Sequence, residues 1–296
     1  MVEYIVGNYL VETGRMNGEQ LEQVIAKLDQ VRVKMGLLAV AEGIMTEEQA
    51  NEVNRLQATM DKRFGDIAVE KGYLTEEQIS NLLKKQGNTY LAFAQALENE
   101  NLMQLKDLEA AMDEYQEANG FTKSAMEDLR SDEPERIVPL FLPPEAMMYK
   151  DVVGVLVRTL IRCIDRHVYI GKAELTKEVM MKESAFQKLV GFSTPIAGCS
   201  GMETGLAEAD GGLDYIATTF CKEGPLDKED MLDAAGEFLN CVNGLYASAL
   251  SRSGNNSELV PPIYVEGYAS FCAEQVCSVP IYAGGKKAIY VVSGIR

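Results

Sequence analysis

The strongest constraint on this chain is internal self-similarity in its first third. The segments VETGRMNGEQ, AEGIMTEEQA and EKGYLTEEQI align, which sets Gly14, Gly43 and Gly72 29 residues apart. A fixed period of this size means that each unit is one small supersecondary piece, unable to bury its apolar face alone and stacked on its neighbours. Every unit has the same order: a short apolar helix, a residue able to take a left-handed conformation, two apolar residues, then a new helix start. A fourth, worn copy puts Asn101 where the glycine belongs, follows it with Leu102 and Met103, and continues as a helix through Leu108, Ala111 and Met112. Thr46 with Gln49, and Thr75 with Gln78, have the spacing of a capping box, in which two side chains satisfy amides that the first helical turn leaves free. Residues 1–120 are therefore predicted to form an all-α helical-repeat domain.

The third copy, from Arg63-Phe64-Gly65 through Val69, Gly72, Leu74, Ile79 and Leu83 to Gln86, resembles the tandem motif of MshE-type N-terminal domains of secretion ATPases. The neighbouring copy begins with Lys34, Met35 and Gly36 and ends at Gln57, with Asn54 where an aliphatic residue belongs; the first copy has Ile5 in place of the arginine. Some members of that family bind cyclic di-GMP through two consecutive motifs, so the resemblance implies a cyclic di-GMP sensor. A likeness at the level of fold carries no function by itself. A helical bundle serving as spacer or docking arm stands beside the sensor reading.

The repeat pattern stops after Asn119-Gly120. Arg130-Ser131-Asp132-Glu133-Pro134-Glu135 is charged and broken by proline, so 121–146 is expected to be a linker. Past Pro143-Pro144, residues 147–164 read as a helix apolar on more than one face, hence buried. Strands are expected at 168–175, 179–182 and 186–195, then a helix at 213–221. A second long helix spans 228–251, with Asp227 as its N-cap. Strands at 263–265, 269–276, 279–282 and 288–292 close the chain, the last two joined by a turn at Gly284-Gly285. The domain 147–296 is thus predicted to be α+β, with two long helices packed on an antiparallel sheet.

Composition removes several functions. A net charge of −17 repels phosphate backbones and anionic lipid surfaces, which argues against nucleic acid and membrane surfaces as partners. No apolar run is long enough to cross a bilayer and no secretory signal opens the chain, so a cytoplasmic protein is expected. The six cysteines lack a CxxC pair and His167 is the one histidine, which leaves no zinc or disulfide framework and no ready Ser-His-Asp or Cys-His hydrolase.

The chemistry concentrates in the second long helix. At about 100° per residue, Met231, Ala235, Phe238, Val242, Leu245 and Ala249 form one apolar stripe, widened by Leu239 and Tyr246. Asp233, Glu237, Asn240 and Gly244 fall opposite it, within about 60° of one another. Acidic residues on an exposed helix face are ordinary. Asn240, Asn243 and Gly244 are not, because mid-helix Asn costs several tenths of a kcal/mol and Gly about 1 kcal/mol relative to Ala.

Asp233, three residues, Glu237, two residues and Asn240 reproduce the signature of the CheC/CheX/FliY chemotaxis phosphatases, which this half of the chain resembles. Gly244 in the same helix, Pro261-Pro262 before a strand, and the order of elements are similar to CheX. The resemblance implies hydrolysis of the aspartyl phosphate of a CheY-like receiver domain. Asn240 would orient the attacking water and Glu237 would contact the receiver's lysine, with Asp233 in support. Mg²⁺ would come bound to the receiver, so no cofactor or metal is expected on this chain. CheC-like members carry a second signature on the first long helix, but 149–165 contains no Glu. One site per domain, as in CheX, is implied, and a CheX-like homodimer is an open alternative. A module that docks a receiver without hydrolysis is the other reading of the same face.

Overall fold

The structure is a computed structural model that describes residues 1–57, 59–60, 62–222, 224 and 226–296. It divides into two compact units, Val2–Asp132 and Glu133–Arg296.

The first unit is helical among its described residues: α1 (Val2–Glu12), α2 (Gly18–Lys27), α3 (Met35–Ala41), α4 (Glu47–Gln57), α5 (Phe64–Glu70), α6 (Glu76–Lys84), α7 (Thr89–Asn99), α8 (Leu105–Asn119) and α9 (Lys123–Ser131). Gly14, Gly43, Gly72 and Asn101 all have left-handed φ, at 70°, 66°, 71° and 56°. The reason is visible in the hydrogen bonds. In each turn the left-handed residue donates to the carbonyl three residues back, and the next residue donates to the carbonyl five back, as Arg15 does to Leu10, Ile44 to Ala39, Tyr73 to Ala68 and Leu102 to Leu97. This Schellman pairing satisfies carbonyls that the helix end would otherwise leave free. Both capping boxes form, Thr46 with Gln49 and Thr75 with Gln78, and a third joins Asn17 to Gln20. Leu10, Leu38, Ile67, Phe93, Leu97 and Met112 are fully buried.

The stretch 121–146, expected as a linker, is largely helical and is shared between the units. Thr122 caps α9, Asp132 ends it at a left-handed φ of 56°, and Pro134 opens α10 (Pro134–Phe141) at its first position, where a missing amide hydrogen is harmless. The charges that suggested a linker fall at the junction of two short amphipathic helices, Arg130 in the last turn of α9 and Glu135 in the first turn of α10, which bury Met126, Leu129, Ile137, Val138 and Phe141.

The second unit combines α10, a 3₁₀ turn at Pro144–Tyr149, α11 (Lys150–Cys163), α12 (Gly212–Cys221) and α13 (Lys228–Arg252) with six strands: β1 (Tyr169–Ile170), β2 (Glu174–Val190), β3 (Gly201–Asp210), β4 (Glu258–Leu259), β5 (Ile263–Ala283) and β6 (Lys286–Ile295). The sheet runs β1-β5-β6-β3-β2-β4, every pair antiparallel, and β2 also pairs with β5. α13 packs against β2, α12 and α11, and α11 against α10. Val152, Val153, Val155, Leu156, Val157 and Leu160 are buried around α11, as its many-sided apolar pattern requires.

Two strands are far longer than expected. Residues 174–190 form one strand that takes in the expected strand 179–182 and parts of those expected at 168–175 and 186–195, because the polar interruptions are bulges; the ladder shifts between Thr176 and Glu178 and between Lys182 and Ser184. Glu183, at the second bulge, has φ 44°. Residues 263–283 likewise continue unbroken through Gly267, whose φ of 79° falls opposite that bulge. β3 has no counterpart among the strand ranges expected above, because glycine and acidic residues obscure its boundaries. Its glycines are demanded by close approach, since a Cβ on Gly201 would stand 2.4 Å from the Leu189 carbonyl and one on Gly205 2.7 Å from the Phe186 ring. Its acidic residues have structural uses: Glu208 accepts from the amides of Gly211, Leu213 and Asp214 at the start of α12.

Candidate functional site

α13 begins where Asp227 accepts a hydrogen bond from the Asp230 amide at 3.0 Å, and runs 25 residues to Arg252. Met231, Ala235, Phe238, Leu239, Val242 and Tyr246 are buried, with Phe238 edge-on to Phe220 of α12. Leu245, expected in that stripe, is 38% exposed, and Ala249 is half-buried. Leu245 lies roughly 80° from the centre of the buried face, at its margin.

Opposite the core, Asp233 and Glu237 are exposed, and Asn240 and Gly244 half-buried. Asn240 lies on the flank that faces β2. Its Oδ1 accepts from Gln187 Nε2 at 2.7 Å, while no hydrogen bond occupies its Nδ2 among the described residues. Gln187 Nε2 also donates to the Val260 carbonyl at 3.0 Å, and Gln187 Oε1 accepts from Asn243 Nδ2 at 2.8 Å. Asn243, fully buried one turn behind Asn240, donates in addition to Thr204 Oγ1 at 2.8 Å, and the Thr204 hydroxyl donates to the Gln187 carbonyl at 3.3 Å. Asn243 thus owes its place in the helix to a buried network, and its Oδ1 has no partner.

Tyr264, near the start of β5, covers the other end of the face. Its hydroxyl donates to Asp233 Oδ1 at 3.1 Å, and its ring lies over Gly236, where a Cβ would come within 2.2 Å of Cε1. Partial burial pushes the Tyr264 hydroxyl pKa up, assisted by the hydrogen bond to Asp233 and the charges of Asp233 and Glu237. The ring remains 41% exposed, and beside it Leu259, Val260 and Ile263 also reach solvent. Gly244 faces open space, a Cβ there meeting only Leu259 Cδ1 at 3.8 Å. The surface is therefore two carboxylates and a tethered carboxamide along a rigid helix, bordered by exposed apolar side chains.

Glu237 and Asn240 come from the sequence signature. Gln187, Asn243 and Tyr264 were not singled out for this role. Gln187 carries one sequence signal, a carboxamide at the position that alternates with the buried Ala185 and Leu189, where a strand facing the core ordinarily carries an apolar residue. Among the described residues no group of His, Cys, Asp and Glu could hold a metal ion, and no helix is long and apolar enough to cross a membrane.

No family model matches the chain, and no curated protein matches it. Solved structures similar to its C-terminal half include CheX-like and CheC-like chemotaxis proteins. A chemotaxis protein CheX from Desulfovibrio desulfuricans is 14% identical with TM-score 0.42, over 50% of this chain and 98% of that one. A CheC-like superfamily protein from Shewanella sp. PV-4 is 21% identical with TM-score 0.41, over 49% and 95%. The CheX-CheY-BeF3-Mg complex from Borrelia burgdorferi includes a chain 15% identical with TM-score 0.41, over 50% and 98%.

Proposed function

We propose that the unit Glu133–Arg296 hydrolyses the aspartyl phosphate of a CheY-like receiver domain. The observation that carries this reading is the Asn240 carboxamide, held by its oxygen at the edge of the core and open at its nitrogen, one helical turn from the exposed Glu237 carboxylate. In the reaction, water attacks phosphorus in line, the bond between phosphorus and the aspartyl oxygen breaks, and the receiver's carboxylate leaves. The water's second proton passes to the released phosphate or to solvent. Phosphoryl transfer of this kind needs alignment and charge placement more than a strong base. Asn240 can hold the water without adding negative charge beside the phosphate, because a carboxamide offers both donor and acceptor atoms. Glu237 pairs with the receiver's lysine, and the apolar border from Leu259 to Tyr264 covers the contact. The receiver supplies Mg²⁺.

The test is release of inorganic phosphate from a CheY-like receiver phosphorylated by a small-molecule phosphodonor. Addition of the chain accelerates release above the receiver's own rate. Binding without acceleration would leave only the docking module.

A second reading concerns the repeats, which we propose form a tandem array that senses a cyclic dinucleotide. It is favoured by a cavity of about 890 Å³ in the first unit, lined by Arg32, Lys34 and Arg63 together with Phe64, Gln57 and Gln86. The three cations are exposed and form no ion pair among the described residues, so they are available to phosphates. Heat on titration with cyclic di-GMP, abolished by Arg63→Ala, supports the sensor; no heat removes it.

A further inference from the structure

Gln187 uses its whole carboxamide. It is 2% exposed in β2, with Nε2 shared between the Val260 carbonyl and Asn240 Oδ1 and with Oε1 accepting from Asn243. A carboxamide can be turned end for end with almost no change of shape, so its orientation must be fixed by the chemistry of its partners. Here the fixed point is the Val260 carbonyl, which can only accept. Gln187 Nε2 must face it, and Gln187 Oε1 must then face Asn243. Asn243 must present Nδ2, and Asn240 must present Oδ1 inward and Nδ2 outward. One backbone oxygen sets the polarity of three side-chain amides. The parts come from separate elements, Asn240 on α13 being 53 residues from Gln187 and Val260, in the short segment between β4 and β5, 73 residues from it; the Val260 amide donates to the Lys188 carbonyl of β2 at 2.9 Å, which ties that segment to the sheet.

We propose that Gln187 is a positioning residue that keys the Asn240 carboxamide, directing its NH₂ group at the bound acyl phosphate and leaving one lone pair of its oxygen for the attacking water. The catalytic consequence rests on the phosphatase reading; the keying itself does not. A network that served packing alone would close on itself in the interior. This one runs from the fully buried Asn243 to an amide at the surface and leaves Asn243 Oδ1 unsatisfied on the way.

Two variants test it. Gln187→Met keeps the length of the side chain and removes both hydrogen-bonding groups. Gln187→Glu keeps the acceptor for Asn243 but cannot donate to Val260 or Asn240 while ionised, and so turns the Asn240 oxygen outward. The first measurement is NMR relaxation of the Asn240 side-chain NH₂ in the full chain. In the wild type it is as rigid as structured backbone, with an order parameter of about 0.85, and in Gln187→Met it falls below about 0.6. A mobile wild-type amide, or an unchanged one in the variant, overturns the keying, and the wild-type measurement decides even if neither variant folds. The second measurement is phosphate release. Each variant lowers kcat about tenfold, the worth of one such hydrogen bond, with KM for the phosphorylated receiver within about twofold. In an Asn240→Ala background the same substitutions have no further effect on kcat. An equal drop in that background shows that Gln187 acts through stability and overturns its positioning role. Wild-type turnover by Asn240→Ala itself would refute the phosphatase reading while leaving the NMR result to judge the keying.

Discussion

Replacing Gly244 by Ala separates what the helix requires from what its partner requires. Gly244 is interior to the 25 residues of α13, where Ala is favoured over Gly by about 0.8–1 kcal/mol. The added methyl would meet only Leu259 Cδ1 at 3.8 Å, an ordinary van der Waals distance, so no clash opposes that gain. For a unit of this size about 1 kcal/mol raises the melting temperature by roughly 2–4 °C. The same methyl stands on the face of Asn240 and Glu237, one turn and two turns along. A receiver seated against bare backbone at Gly244 must yield to it, and overpacking of this kind costs about 1–3 kcal/mol, or roughly 5- to 150-fold in affinity. Gly244→Ala is therefore expected to melt higher and work worse. Differential scanning calorimetry of the full chain reads the first effect in the transition of the C-terminal unit, and KM for phosphorylated receiver reads the second. A lowered melting temperature would refute the reasoning about the helix. A raised one with unchanged KM would refute the reasoning about the partner.

Gly236→Ala, four residues from Asn240 on the same helix, should show no net gain in melting temperature, because its methyl would collide with Tyr264 at 2.2 Å and lift that ring off Asp233; a rise equal to that of Gly244→Ala contradicts the described packing. In the repeats, Asn101→Gly should stabilise by about 0.5–1 kcal/mol and Gly72→Ala destabilise by about 1–2 kcal/mol, since both positions hold left-handed backbone; opposite signs in denaturant melts would remove the Schellman account. Burial pushes the Glu183 carboxyl pKa up, but Lys228 Nζ at 2.7 Å and the Gly267 amide outweigh it and hold the carboxyl below its ordinary value. A depressed folded pKa stabilises above the unfolded value of about 4.3 and loses that contribution as pH falls through the folded value. Lys228→Met removes the strongest of the contributions that oppose burial, so its deficit in melting temperature should be greatest at neutral pH and fade below about pH 4; a deficit constant from pH 3 to 7 rules this out.

What could be read in advance was local. A left-handed turn needs Gly or Asn at one position, a helix start needs its cap within three residues, and a buried stripe repeats every few residues; Gly43, Thr75, Asp227 and Phe238 all announce themselves in this way. The long strands were hidden by their own irregularities. Bulges at Glu183 and Gly267 break the alternation that marks a strand, and Gly201 and Gly205 in β3 resemble turn residues when they are in fact close contacts. The site was legible to the extent that it lies on one helix. Glu237, Asn240 and Gly244 share a face because of helical geometry alone. Gln187, Val260 and Tyr264 reach that face across the sheet, through contacts with no local period, and the tether on Asn240 exists only once the two long strands have found their register.

The carboxamide of Asn240 is expected to act on the acyl phosphate of a docked receiver. Stopped-flow release of phosphate from a phosphorylated CheY-like receiver, measured over a range of receiver concentrations for wild type and Asn240→Ala, addresses it directly. The side chain is half-buried at the edge of the site and anchored by one neutral hydrogen bond, so truncation leaves fold and docking largely in place. The expected result is a loss of about 10²-fold or more in kcat with KM changed little, the pattern of an interaction made in the transition state. Equal kcat for the two proteins would contradict the account.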